Sequence, residues 1–176
     1  MHAFRDGPVP VPADHGSTAD AQPLRAWEML MREGVAAARG GRFGAAEDLY
    51  QRALELARGL LYLDAPGGGH EDDRVAAFVV SRLNLADLYR DADRTDAAVA
   101  HLCAAHRTLM ALLRNGQTPQ ALRQAAFRHS RETHAALLAH VAEYGGHPDI
   151  EAAVRAGCMP LAAQPPLAGL QGATLH

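Results

Sequence analysis

The sequence is poor in aromatic residues, and its hydrophobic content comes mainly from alanine and leucine. Phe, Trp and Tyr make up 5% of the 176 residues, whereas 48% are hydrophobic. Such a composition favours close-packed helices over a sheet, which draws on aromatic and β-branched residues. We therefore expect an all-α protein with one domain, long enough to bury a core of its own.

Cysteine, positive charge and long apolar runs are also scarce. The formal net charge of −3 provides no field that would neutralise phosphates, so we expect no nucleic-acid partner. No apolar run approaches the roughly 20 residues that span a bilayer, and the N-terminus lacks the apolar core of a signal peptide. Cys103 and Cys158 lie in unlike settings and do not indicate a disulfide framework. These absences predict a cytoplasmic protein without a membrane partner.

Enzyme signatures are missing as well. The sequence contains no HExxH, GxSxG, paired CxxC or phosphate-binding loop. Adjacent carboxylates such as Glu71, Asp72 and Asp73 suit the start of a helix by capping and dipole effects. We expect no catalytic residue, no cofactor and no metal, and so a protein that is not an enzyme.

Ten histidines support an alternative, a metal-binding helical protein. Two stretches, HLCAAH and HSRETHAALLAH, lie in the predicted fourth and fifth helices. Cys103 and His106 share a helix face, whereas His129 and His134 point apart on theirs. A metal site would therefore have to form between helices, for example from Cys103 and His106 with His129. We favour the simpler interpretation of surface and core histidines.

Glycine and proline divide the chain into six predicted helices. Their predicted bounds are 23–39, 43–63, 71–90, 95–114, 119–144 and 148–156. Thr118 is the predicted N-cap of the fifth helix, with Pro119 as its first residue, and Gly157 should lie beyond the sixth. Residues 1–22 and 158–176 lack apolar periodicity and are predicted to be flexible tails. A helical domain over 23–157 remains.

The first two hairpins share a pattern of small and bulky residues. When WEMLMREGVAAARGGRFGAAEDLYQRALELA is aligned with VVSRLNLADLYRDADRTDAAVAHLCAAHRTL on their turns, Gly34 falls over Ala86 and Tyr50 over Leu102. Small residues would let the paired helices approach, and the bulky residue would fill the remaining gap. The pattern resembles the tetratricopeptide repeat, a 34-residue helix-turn-helix unit.

Two such units cover 27–60 and 79–112, and residues 61–78 are an insertion between them. A third, degenerate unit spans about 131–157, with Gly157 where the repeat has alanine. The predicted architecture is thus a short α-solenoid of stacked hairpins with a long C-terminal helix. This layout is similar to that of a small bacterial family of unknown function. The insertion is either a solvated spacer or a flap over a groove.

The resemblance implies a function, because tetratricopeptide proteins usually bind a peptide in the concave groove lined by their first helices. It implies a protein-interaction module, adaptor or chaperone-like, with a protein or peptide partner or self-association. The clamp that some members use for a C-terminal carboxylate is not expected, since only Arg39 and Asn84 match it. The implied groove residues are Glu28, Met31, Arg32, Val35 and Arg39 in the first unit, and Val80, Leu83, Asn84, Asp87, Arg90 and Asp91 in the second.

Overall fold

The computed structural model describes residues 18–62 and 71–157, with side chains from residue 22 onward. The predicted all-α class is confirmed, since these residues form helices joined by turns. The predicted flexible tails fall largely outside the described residues, as does the glycine-rich part of the predicted insertion. The helices are α1 (Thr18–Arg39), α2 (Phe43–Leu61), α3 (Glu71–Asp91), α4 (Thr95–Arg114), α5 (Gln120–Tyr144) and α6 (Pro148–Gly157).

Five predicted helix ends need correction. α2 ends at Leu61, before the predicted 63, and α3 ends at Asp91, one residue beyond the predicted 90. α1 begins at Thr18 rather than Pro23. α6 includes Gly157. Thr118 is buried and does not cap α5; Pro119 is the N-cap, with φ −52° and ψ 144°. Its carbonyl accepts the first helical hydrogen bond from the N–H of Arg123. The fixed φ of proline is compatible with the cap as well as with the first turn.

The helices stack in chain order, each against the next. α3 also contacts α1 and α5, so these three form one layer, and α4 also contacts α6. The first two turns of α3 belong to the predicted insertion, yet Val75 and Phe78 are fully buried there. That part of the insertion is therefore core and not spacer.

The turns of the first two hairpins have the same conformation. Gly41 has φ 68°, and Asp93, at the equivalent position 52 residues later, has φ 57°. In both turns the residue that follows donates its N–H to a carbonyl near the end of the preceding helix, from Arg42 to Ala37 and from Arg94 to Tyr89. The internal repeat seen in the sequence is thus present in the backbone.

A close contact between α1 and α2 explains why the first hairpin needs a glycine. A Cβ atom built on Gly34 would lie 2.5 Å from Cε1 of Tyr50. The Tyr50 ring is buried against this bare stretch of backbone, and Ala46 and Ala53 are also fully buried. The glycine therefore sets how near the two helices can lie.

The third hairpin is different, because α6 packs mainly against α4 and only lightly against α5. Its eighth position, where the other units have Gly34 and Ala86, is Leu138, which is half exposed. Arg114 on α4 donates a hydrogen bond to the carbonyl of Ala156 on α6. In the third hairpin a bulky residue at the eighth position thus goes together with weak packing of α5 against α6.

Replacing Gly34 with alanine should destabilise the protein by about 1–3 kcal/mol, the usual cost of overpacking a core. The matched control is Gly59→Ala in α2, where no heavy atom lies within 4 Å of the added Cβ. That change should stabilise by about 0.5–1 kcal/mol through helix propensity. Urea unfolding of both variants measures the difference, and equal midpoints would contradict the contact.

Substitutions of the two residues with positive φ, Gly41 and Asp93, should change the stability of the protein in opposite directions. Gly41→Ala should cost about 1 kcal/mol, because a Cβ is strained at positive φ. Asp93→Gly should raise stability by a few tenths of a kcal/mol or more, since it removes that strain. Thermal melts of the two variants beside the native protein check the signs. Effects of the same sign would show that the turns are not equivalent.

Candidate peptide-binding crevice

A crevice lies between α1 and α3 on the layer of first helices. It is a cavity of about 430 Å³, and its lining combines apolar side chains with two arginines and an asparagine. We call it the first-helix crevice. It is lined by Met31, Arg32, Val35, Ala36 and Arg39 of α1 and by Val80 and Asn84 of α3.

A hydrogen bond next to the crevice joins its two walls. Trp27 Nε1 on α1 donates to Ser81 Oγ on α3 at 2.8 Å. Ser81 is fully buried and donates in turn to the Ala77 carbonyl at 2.8 Å. Met31 lies one helical turn beyond Trp27, with its sulfur 3.8 Å from Ser81 Oγ. The buried contact therefore fixes α1 against α3 where the floor of the crevice begins.

The charged groups of the crevice are available to a ligand. Arg32 and Arg39 are exposed, and neither forms an ion pair with any carboxylate of the described residues. Asn84 donates from Nδ2 to the Val80 carbonyl at 2.9 Å, and its amide oxygen and second N–H have no partner among the residues that the structure describes. Unpaired guanidinium groups above an apolar floor are suited to binding carboxylates.

The structure brings six of the eleven predicted groove residues together in the crevice. The exception on α1 is Glu28, which is exposed and lies outside the lining. On α3 the exceptions are Leu83, Asp87, Arg90 and Asp91. Ala36 lines the crevice but was not predicted. It gives no signal in the sequence beyond its place one residue after Val35.

Four of the predicted residues of α3 lie outside the crevice lining. Arg90 donates to Asp87 at 2.6 Å, so these two predicted residues pair with each other. Arg90 also lowers the pKa of His140 on α5, although burial of His140 is the larger cause of that shift. Asp72 near the start of α3 also pairs with Arg128 of α5, so α3 lies beside α5 at both ends and borders the crevice only through Val80 and Asn84.

His106 on α4 and His134 on α5 are neighbours, with ring centroids 5.7 Å apart, whereas the other histidine contacts of these helices differ. His106 is buried, and its Nδ1 lies 3.0 Å from Thr133 Oγ1. Thr133 uses its hydroxyl proton on the Ser130 carbonyl, so His106 must be the donor to it. His129 instead contacts Asp72 at 3.4 Å and Glu132 at 3.5 Å.

These contacts bear on the metal alternative. Within residues 18–62 and 71–157, no group of three or more His, Cys, Asp or Glu residues could hold a metal ion. Burial raises the pKa of the Cys103 thiol, which disfavours the thiolate that metals bind. No observation among the described residues therefore favours a metal site.

His101 occupies a half-buried polar position between α3 and α4. Arg82 donates to its Nδ1 at 3.3 Å, and its ring lies 5.3 Å from that of Tyr89. Burial, helped by the charge of Arg82, lowers the His101 pKa from 6.5 to about 4. The side chain is thus neutral in the folded protein at neutral pH.

With this geometry, the described part of the protein is a stack of helical hairpins with an open crevice between its first helices. The chain belongs to the family described as Protein of unknown function (DUF2753), whose match covers residues 25–167. No curated protein and no solved structure matches it. Among the described helices, none is both long and apolar enough to span a membrane. The family description does not mention the tetratricopeptide repeat, so that resemblance stays a prediction.

The depressed His101 pKa predicts a loss of stability in acid. Between pH 6.5 and about 4 the unfolded chain binds a proton at His101 that the folded protein does not, so stability falls as the pH falls through that window. His101→Gln keeps an acceptor for Arg82 but cannot titrate. Urea unfolding at several pH values should give a shallower dependence for this variant. Parallel curves for variant and native protein would contradict the assignment.

Proposed function

We propose that this protein is a non-catalytic interaction module that binds a segment of a partner protein in the first-helix crevice. The observation that carries the proposal is that Arg32 and Arg39, which form no ion pair within the described part of the chain, line the crevice together with Val35 and Val80. Apolar surface provides affinity, and a few polar groups orient the ligand. An adaptor or chaperone-like role follows from this chemistry.

The same proposal places the protein in the cytoplasm. Cys103 is a buried free thiol within α4. A thiol left unpaired in the core is what a reducing compartment allows.

Reversing the charge of both arginines tests the proposal. Arg32→Glu with Arg39→Glu should weaken binding of a partner captured from the native cell by about 10-fold or more. Each charge-assisted hydrogen bond is worth about 1.5–3 kcal/mol, and a tenfold change corresponds to about 1.4 kcal/mol. Circular dichroism and melting should stay unchanged, since both side chains are exposed.

The matched control carries the same charge change on the second helices. Arg52→Glu with Arg107→Glu alters two exposed residues of α2 and α4 and should leave capture intact. His129→Ala should also leave capture intact. If the crevice reversals have no effect while the histidine change abolishes binding, α5 would be the site and the proposal would be wrong.

A further inference from the structure

Arg32 and Arg39 have a fixed separation along α1. They are seven residues apart, which is about 10.5 Å along the axis at 1.5 Å per residue. Both lie on one wall of the crevice, with Val35 between them. A ligand that satisfies both must therefore place two acceptors about 10 Å apart on one side.

The crevice follows a short stretch of α1. Its lining runs from Met31 to Arg39, which is about 12 Å at 1.5 Å per residue. An extended segment rises about 3.1 Å per residue, so three or four of its residues are enough to follow that length.

The amide oxygen and second N–H of Asn84, unpartnered within the described residues, favour an extended segment over a helix. Its remaining N–H and its amide oxygen can pair with the C=O and N–H of one peptide group. The peptide groups of an extended segment are open to such pairing, whereas those inside a helix are already hydrogen-bonded.

The polyproline II conformation gives the required spacing. With three residues per turn and a rise of 3.1 Å, residues i and i+3 face the same side about 9.3 Å apart. This separation is within the reach of two flexible arginines whose backbones are about 10.5 Å apart. Guanidinium groups bind carboxylates through two parallel hydrogen bonds.

We propose that the partner segment is extended and acidic, with two carboxylates three residues apart and an apolar or proline residue between them. The first carboxylate pairs with one of Arg32 and Arg39 and the second with the other, while Asn84 binds the intervening backbone. This inference rests on the proposed function and specifies its partner.

Two capped peptides of equal composition test the spacing. The probe is acetyl-Gly-Asp-Pro-Leu-Asp-Gly-amide, and its isomer is acetyl-Gly-Pro-Asp-Asp-Leu-Gly-amide. Both carry the same charge, and neither has a terminal carboxylate. We expect the probe to bind the full chain about 10-fold more tightly than the isomer in an NMR titration at low salt. Its shifts should centre on Arg32, Val35, Arg39 and Asn84, and affinity should fall as salt screens the charges.

Variants assign the effect to the two arginines. Arg32→Gln and Arg39→Gln should each weaken probe binding by about 10-fold and remove the preference over the isomer. The control Arg52→Gln removes an exposed arginine of α2 and should change neither. Retention of the preference in both crevice variants would overturn the inference.

The outcomes separate this inference from the proposed function. Equal affinity of probe and isomer, or an absence of crevice shifts with the probe, would overturn the acidic spacing. If capture of the natural partner still depends on Arg32 and Arg39 in that case, segment binding stands with another ligand chemistry. If capture is also independent of them, the proposed function fails as well.

Discussion

The approach of α1 to α2 at Gly34 is the contact on which the crevice depends. The Tyr50 ring occupies the space where a Cβ would be, so α1 lies directly on α2. α2 is also packed against α3, and the Trp27–Ser81 hydrogen bond joins α1 to the same helix. α1 is therefore held from two sides, and its remaining face is left to solvent with Arg32 and Arg39 on it.

Local signals made most of the fold predictable. The Gly40-Gly41 turn and the equivalent turn at Asp93 contain residues that tolerate positive φ. α4 begins and ends at the residues that the neighbouring turns predict. The start of α5 was harder to predict, because in a threonine-proline pair either residue can be the N-cap. Which of Thr118 and Pro119 takes the cap depends on the burial of Thr118, and burial is a tertiary property.

The lining of the first-helix crevice was largely predictable on α1 but not on α3. Repeat positions give the face of α1 correctly, so four of its five predicted residues line the crevice. On α3 the same positions succeed only at Val80 and Asn84. How far a crevice extends along a helix depends on the tilt of that helix against its neighbour, and a residue pattern on one helix does not encode that tilt. The pairing of Arg90 with Asp87 could have been suspected from their spacing of three residues.

The last hairpin, α5 with α6, lacks the close contact that a small residue at the eighth position allows in the first hairpin. Leu138 replaces the small residue, and α6 leans onto α4. Gly157 then lies beside His106: a Cβ built on it would be 2.8 Å from Nε2. In the first hairpin a small residue is needed between its own two helices, whereas here a small residue is needed between helices of different hairpins, α6 and α4. A glycine that departs from the repeat pattern is thus explained by its contact with the buried His106, a less close contact than that of Gly34 with Tyr50.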